Sequence, residues 1–317
     1  MNDDLARATS AVINECLRVR EGETVLVVAN PATLGLGERL RGAAGRAGAD
    51  AISMLMADRD QHGQEPPAAV AAAMREADVV LCPTTKSLSH TDARRKACEA
   101  GARIATLPGV TEETLARVMS ADMAGLRRKG AAVAAALDAG SEARITCASG
   151  SDLRLVLAGR GAISDAGELQ EPGAFGNLPC GEGFIPPIET EGEGVLVVDG
   201  SIGDIPRAAE PVKLRLKGGE LVAASGPDGA ALLEMLRAAG PGGTGVAELG
   251  IGTNEKAILT GNLIEDEKIL GTCHVAFGAS AGMGGAVQVP VHIDCVVMRP
   301  TVEIDGEAIV RDGQFLL

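Results

Sequence analysis

Two patterns of apolar and polar positions divide the 317-residue chain. In the first part, short β-rich apolar runs alternate with Ala- and Arg-rich stretches. The runs are ETVLVVAN (23–30), ADAISMLMA (49–57), ADVVLCPT (77–84) and GARIATLPG (101–109); the stretches include GERLRGAAGRAG (37–48) and PPAAVAAAMREA (66–77). Continuous apolar strands separated by helical segments predict a parallel, doubly wound sheet. After an Ala-rich helix at 125–140 the pattern becomes short alternating strands and Gly turns. Examples are EARITCASGSDLRLVLAG (142–159) and EPVKLRLKGGELVAAS (210–225), with one helix at 227–240. KGGE (217–220) and IDGE (304–307) are hairpin signals. The expected fold is a Rossmann-like α/β N-terminal domain over residues 1–135 with a parallel doubly wound sheet. An α+β, largely antiparallel domain over residues 136–317 follows it.

Composition changes this picture in few respects. With no Trp, no Tyr and 4 Phe, the cores must be filled by Val, Leu, Ile, Ala and Met. The net charge of −14 disfavours nucleic acid and anionic membranes as partners. Asn2, Asp3 and Asp4 are the wrong start for a signal peptide, and no apolar run is long enough to span a bilayer. The 7 cysteines follow no framework spacing, which reads as reduced thiols in a cytoplasmic protein. The turn after the first strand carries Gly35 and Gly37 but Leu40 where a dinucleotide fingerprint needs glycine, so nucleotide binding is not expected.

Candidate chemistry gathers in the second half. In VPVHIDCVV (289–297), His292 and Asp294 are two apart and project to one face of a strand, with Val291, Ile293 and Cys295 behind them. In GTCHVAFG (271–278), His274 shares a face with Ala276 and Gly278. Glu248 is the single charge in GVAELGIG (245–252), and Glu182 sits in NLPCGEGFIPP (177–187). Each could be an isolated polar residue on a half-exposed sheet. Half of the chain's 4 histidines nevertheless fall close together, and a lone acid in an apolar run is costly unless it is paired or coordinating. Mixed His and carboxylate donors suit zinc, cobalt, manganese or iron(II), with enough oxygens for one or two ions.

NLPCGEGFIPP, AELGIGTNEKAILTGNLIEDEKILGTCHVAFG (247–278), VPVHIDCVV and the segment 84–113 together resemble the thermophilic-type metallo-aminopeptidase family, in its short members. The resemblance implies an α/β domain ahead of a metal domain, a homodimer, and metal ligands at Glu182, Glu248, His274, His292 and Asp294, with Asp294 bridging. It implies hydrolysis of an amide in a small peptide or amino-acid derivative, with Glu182 or Glu248 taking the proton of a metal-bound water. One position departs from that family: Ala281 stands seven residues after His274, where the family has a tyrosine. The loss of such a phenol puts efficient peptidase activity in doubt. The same segments resemble 2,5-dihydroxypyridine dioxygenase, a non-haem iron(II) ring-cleaving enzyme. Its pattern has a histidine at the position of Glu248 and no counterparts of Glu182 and His274. That difference puts hydrolysis ahead, with the dioxygenase and a catalytically silent metal-binding member as alternatives.

Secondary candidates follow. SLSHTDARR (87–95) begins a helix after the third strand, where open α/β sheets place ligands; Ser89 or Thr91 suits an N-cap, and His90 and Arg94 are candidates for contacting substrate. Cys180 lies beside Glu182 and is a further candidate, whereas Cys273 is expected to pack. IEDEK (264–268) reads as a solvated charged turn.

Overall fold

A computed structural model describes residues 2–203, 205 and 210–317. The chain divides into two compact units, Met1–Met123 with Gly167–Cys180, and Ala124–Ala166 with Gly181–Leu317. The division therefore differs from the single boundary expected after residue 135. The helix Met123–Ala139 contributes Val133 and Leu137 to the second unit's core, and residues 167–180 return to the first unit.

The first unit holds a parallel sheet. Its strands run in the order Asp50–Leu55, Thr24–Ala29, Val79–Cys82, Arg103–Thr106 and Phe175–Asn177. The first four are the apolar runs of the sequence, and the inner ones are buried except at Thr24, as parallel strands require. Phe175–Asn177 is too short and polar to be read as a strand by pattern; its pairing with Arg103–Thr106 brings it into the sheet. The helix Asp92–Glu99 is capped by Thr91, whose hydroxyl accepts from the Arg94 amide.

The second unit contains an eight-stranded sheet and a five-stranded sheet, and every ladder in both is antiparallel. One buried cluster joins them. Leu153, Leu155, Leu196 and Leu214 come from the larger sheet, Leu249, Val275, Phe277 and Cys295 from the smaller, and Leu232 and Leu236 from the helix Gly226–Ala238. The five-stranded sheet runs His292–Val297, Cys273–Gly278, Val246–Gly252, Glu182–Ile185, Ile163–Asp165. No helix among the described residues is long and apolar enough to cross a membrane.

The segment IEDEK is not a solvated turn. Leu263–Asp266 forms one helical turn, and Glu265, Asp266, Glu267 and Lys268 are all buried. Its charges meet partners both near and far along the chain. Asp266 accepts from the amides of Thr260 at 2.7 Å and Gly261 at 2.8 Å and from the Ser201 hydroxyl, and Glu265 accepts from the Ile258 amide at 3.1 Å. Four consecutive charges look solvated in a sequence because the pattern shows neither the nearby amides that turn toward Glu265 and Asp266 nor the distant Ser201 and Glu182 that meet Asp266 and Lys268.

Replacing Asp266 by Ala strands two backbone donors and a buried hydroxyl. The expected loss is about 2–4 kcal/mol of unfolding free energy, measured by urea denaturation. A loss below about 0.5 kcal/mol, the range of ordinary surface substitutions, would show that the loop does not depend on it.

Candidate metal centre

Residues opposite one another in an antiparallel ladder share a face, as do residues two apart along a strand. The observed register pairs Asp165 with Glu182, Glu182 with Gly252, Gly250 with His274, Glu248 with Ala276, Ala276 with Asp294, and Gly278 with His292. All six titratable groups therefore project from one face of the five-stranded sheet. The other face carries Ile185, Leu249, Ile251, Cys273, Val275, Phe277, Ile293, Cys295 and Val297 into the core, with Val291 packed against it. Packing rather than ligation is thus the role of Cys273.

Small residues clear the polar face. A Cβ at Gly250 would lie 2.1 Å from His274 Nε2, so the imidazole occupies the space that the missing side chain leaves. A Cβ at Gly252 would lie 2.0 Å from the Ile269 carbonyl oxygen, where the chain returns from IEDEK. That return is sewn to the strand end by Asn254 N donating to Lys268 O at 2.9 Å and Gly252 N donating to Thr272 O at 3.1 Å.

Two overlapping donor groups result, Glu182–Glu248–His274 and Glu248–His292–Asp294, with the donor atoms of each within 4.8 Å of one another. Glu248 is common to both, the place that the sequence reading gives to Asp294. Its Oε1 is 3.1 Å from His274 Nε2 and its Oε2 is 3.3 Å from His292 Nε2; Asp294 Oδ1 is 3.4 Å from His292 Nε2. His292 Nδ1 donates to the Ala279 carbonyl at 2.8 Å, which aims Nε2 inward; burial favours the neutral ring, but Asp294 and Glu248 hold its pKa well above the usual imidazole value, so a bound ion would take the place of the Nε2 proton. Glu182 Oε2 is buried without a hydrogen-bond partner, 3.3 Å from His274 Nε2 and out of alignment with it. Imidazole lone pairs, clustered carboxylates and an unsatisfied buried oxygen fit a divalent ion.

A buried cation completes the surroundings. Lys268 Nζ forms a short ion pair with Glu182 Oε1 and lies 2.8 Å from Glu267 and 3.7 Å from Asp165. Burial works against its charge, but Glu182, Glu267 and Asp165 hold its pKa well above the usual lysine value. Burial pushes Asp165 up to about 6 and Glu267 up to about 7, against the pull of Lys268. Burial also works to raise Glu248, yet hydrogen bonds to His274 and His292 hold it below the carboxylate range. His274 is driven up to about 9, because Glu248, Glu182 and Asp294 outweigh the burial that favours its neutral ring.

The loop between the two histidine strands is anchored from beneath. Glu189 accepts from Ser280 Oγ at 2.5 Å and from the Ala286 amide at 2.6 Å, and it is ion-paired with Arg160. Arg160 also donates to the Gly284 carbonyl at 2.9 Å. Ala281 lies in this loop, in a 3₁₀ turn.

The remaining candidates sit in the first unit. Cys180 is buried with its thiol beside Gly167 and Cys16, the environment of a packed side chain. Arg94 lies 4.2 Å over the Phe175 ring and its Nε donates to the Ser89 carbonyl at 2.8 Å, so its guanidinium has a structural task. Ser89 enters a buried hydroxyl network with Ser87, Thr106 and Asn177 instead of capping. His90 is exposed, just before the Asp92–Glu99 helix. Lys268, Glu267 and Asp165 escaped the sequence reading. The available signal was Lys268 itself, a lone cation in an acidic run a few residues before His274.

Gly250→Ala is expected to keep the fold by circular dichroism but to weaken divalent-ion binding at least ~10-fold, through displacement of His274. Unchanged binding would show that the centre does not depend on where His274 holds Glu248. Because His274 holds a proton up to about 9 without an ion, ion affinity should climb as pH rises toward that value and the proton is released. Titrations with Mn(II) across pH 6–9, roughly the span around the ordinary and raised imidazole values, measure this.

A profile of the NicX family, described as 2,5-dihydroxypyridine 5,6-dioxygenase, matches residues 4–317. A 2,5-dihydroxypyridine 5,6-dioxygenase of Pseudomonas putida KT2440 is 25% identical over 257 residues, 76% of this chain and 71% of its own length. The solved 2,5-dihydroxypyridine dioxygenase from Pseudomonas putida KT2440 superposes with a TM-score of 0.85 at 21% identity, covering 100% of this chain and 98% of that one. AmpT from Thermus thermophilus superposes with a TM-score of 0.71 at 19% identity, covering 100% of both chains. At those identities the two structures establish a shared mixed α/β fold with parallel and antiparallel sheets.

The family match and the sequence relative overturn the hydrolase expectation, and with it the aminopeptidase and metalloprotease assignments. That expectation leaned on Glu182 and His274 as marks of a peptidase. Imidazole and carboxylate donors serve hydrolytic and oxidative metal chemistry alike, so a ligand set cannot choose between them. By a profile that covers residues 4–317, the chain belongs to the NicX family of 2,5-dihydroxypyridine 5,6-dioxygenases.

Proposed function

We propose that this protein is a non-haem iron(II) dioxygenase that opens the ring of a dihydroxypyridine. The observation that carries the reading is the Glu248–His292–Asp294 group, gathered on one sheet face with its two carboxylates buried, in a chain that a dioxygenase profile covers almost completely. The group differs from the dioxygenase pattern in having Glu248 where a histidine is expected, so two carboxylates and one imidazole would hold the ion. Iron(II) supplies the redox chemistry that lets dioxygen react with an electron-rich aromatic ring.

The chain's own residues orient the reactants and handle protons. His292 and Asp294 lie two apart on one strand, and the Ala279 carbonyl fixes the direction of the imidazole. Glu182 Oε2 is the acceptor for a proton leaving a ring hydroxyl, because it is buried, inward-facing and without a partner. His274 Nε2 lies 3.3 Å from that oxygen and 3.1 Å from Glu248, so it can hold the proton between the two carboxylates. The apolar wall behind the sheet keeps these groups rigid and dry, which strengthens their electrostatic effect.

The test is oxygen uptake by anaerobically iron(II)-loaded protein supplied with 2,5-dihydroxypyridine. Uptake that matches loss of the ring absorbance, falling at least ~100-fold in His292→Ala, is the expected result. A loaded protein that consumes no oxygen with this substrate or with other ring diols would sink the reading.

A further inference from the structure

Parallel sheets bury both faces of their strands, and exposed edges are normally blunted by a charge or a proline. The outer strand of the first unit's sheet, Asp50–Leu55, departs from both rules. Among the described residues it pairs with Thr24–Ala29 alone. The Asp50 amide donates to the Glu23 carbonyl at 2.9 Å and the Met56 amide to the Ala29 carbonyl at 3.0 Å. Alternate residues of a parallel strand bond to the same neighbour, so Asp50, Ile52, Met54 and Met56 direct their N–H and C=O groups inward. Those of Ala51, Ser53 and Leu55 are directed outward, along an open edge. Apolar side chains are exposed on both faces, Ile52 by 45% and Leu55 by 57%. On the Leu55 face the helix Leu34–Arg46 runs alongside, where Ser53 Oγ donates to Glu38 at 2.9 Å and Arg41 is ion-paired with Glu38 at 2.8 Å. Residues 51–57 carry no charge, in a chain of net charge −14.

We propose that this edge joins two copies of the chain, by antiparallel pairing of Asp50–Leu55 with itself about a two-fold axis at Ser53. In that register the strand is complementary to itself. Each outward N–H of Ala51, Ser53 and Leu55 meets an outward carbonyl of the second copy. Ala51 faces Leu55 of the second copy on the helix side, and Ile52 faces Met54 of the second copy on the other, so the pairs flanking the axis are apolar. Ser53 meets its own counterpart. A slip of one residue would set outward groups against inward ones and forfeit the ladder, which fixes the register. The charges agree. The strand brings none to the axis, and each copy sets one acid, Glu38, and one base, Arg41, beside it, so the two-fold offers each Arg41 a carboxylate of the second copy.

Sedimentation equilibrium of the full chain over a concentration series tests this. Wild type is expected at an even multiple of the chain mass, 32.1 kDa. Ser53→Pro removes an outward N–H that takes no part in the ladder with Thr24–Ala29, and Leu55→Lys sets a charge at an exposed position of the edge. Each should halve the assembled mass while the circular dichroism stays that of wild type. The register is read separately. In Ser53→Cys, the two-fold sets the paired Cα atoms roughly 5.5 Å apart, within disulfide reach, so oxidation with diamide should link two chains where wild type and Ile52→Cys do not. Leu55→Lys and Ser53→Cys carry the test alone if Ser53→Pro does not fold. A wild type that stays a single chain at every concentration would overturn the inference. An assembly whose mass is unchanged in folded Leu55→Lys, or a Ser53→Cys protein that does not cross-link, would overturn it as well, by placing the contact elsewhere.

Discussion

The structure depends on burying a concentration of charge that could not be buried piecemeal. Glu182, Glu248, Asp294 and His274 are each less than a tenth exposed, on a single sheet face beside a fully buried lysine. An isolated carboxylate in such surroundings is strongly destabilising, and the cost falls only when each charge meets an opposite one in good geometry. Here the groups are arranged so that carboxylates alternate with cationic or proton-holding partners: Asp294, His292, Glu248, His274, Glu182, Lys268. Breaking any link leaves a neighbour uncompensated, which couples the integrity of the centre to that of the sheet.

The sheet supplies what this arrangement needs. Antiparallel register brings residues far apart in the chain to one face, and strand alternation puts an uninterrupted apolar layer behind them. Glycines at 250 and 252 keep that face open, because a β-carbon at either would fall on the His274 ring or on the returning backbone. Glu189 and Arg160 then anchor the loop that provides the Ala279 carbonyl to His292. Core packing, loop anchoring and ligand direction form one chain of contacts.

The correction from hydrolase to dioxygenase has a plain chemical origin. All five site residues were legible as a cluster, since each is a polar residue at an apolar or glycine-flanked position of a β-rich run. What they do with an ion was not legible, because hydrolytic and oxygen-activating centres draw on the same donors, and the difference lies in the ion, the shape of the site and the substrate. The Ala281 position pointed the same way: it lies in a glycine-rich loop with no phenol to aid acyl chemistry.

The sequence alone determined the parallel N-terminal sheet, the largely antiparallel second half, and the shared strand face of His292 and Asp294, and it named Glu182, Glu248 and His274 as further candidates. Those properties follow from local periodicity, and in a strand periodicity decides which residues share a face. Tertiary structure decided the rest. The return of residues 167–180 to the first unit, the shared position of Glu248, and the reversal of IEDEK from solvated turn to buried ion network all depend on pairings between distant segments. Lys268 shows the reason most clearly: its partners Glu182 and Asp165 lie more than eighty residues upstream, and only the ladders that join their strands bring them to it.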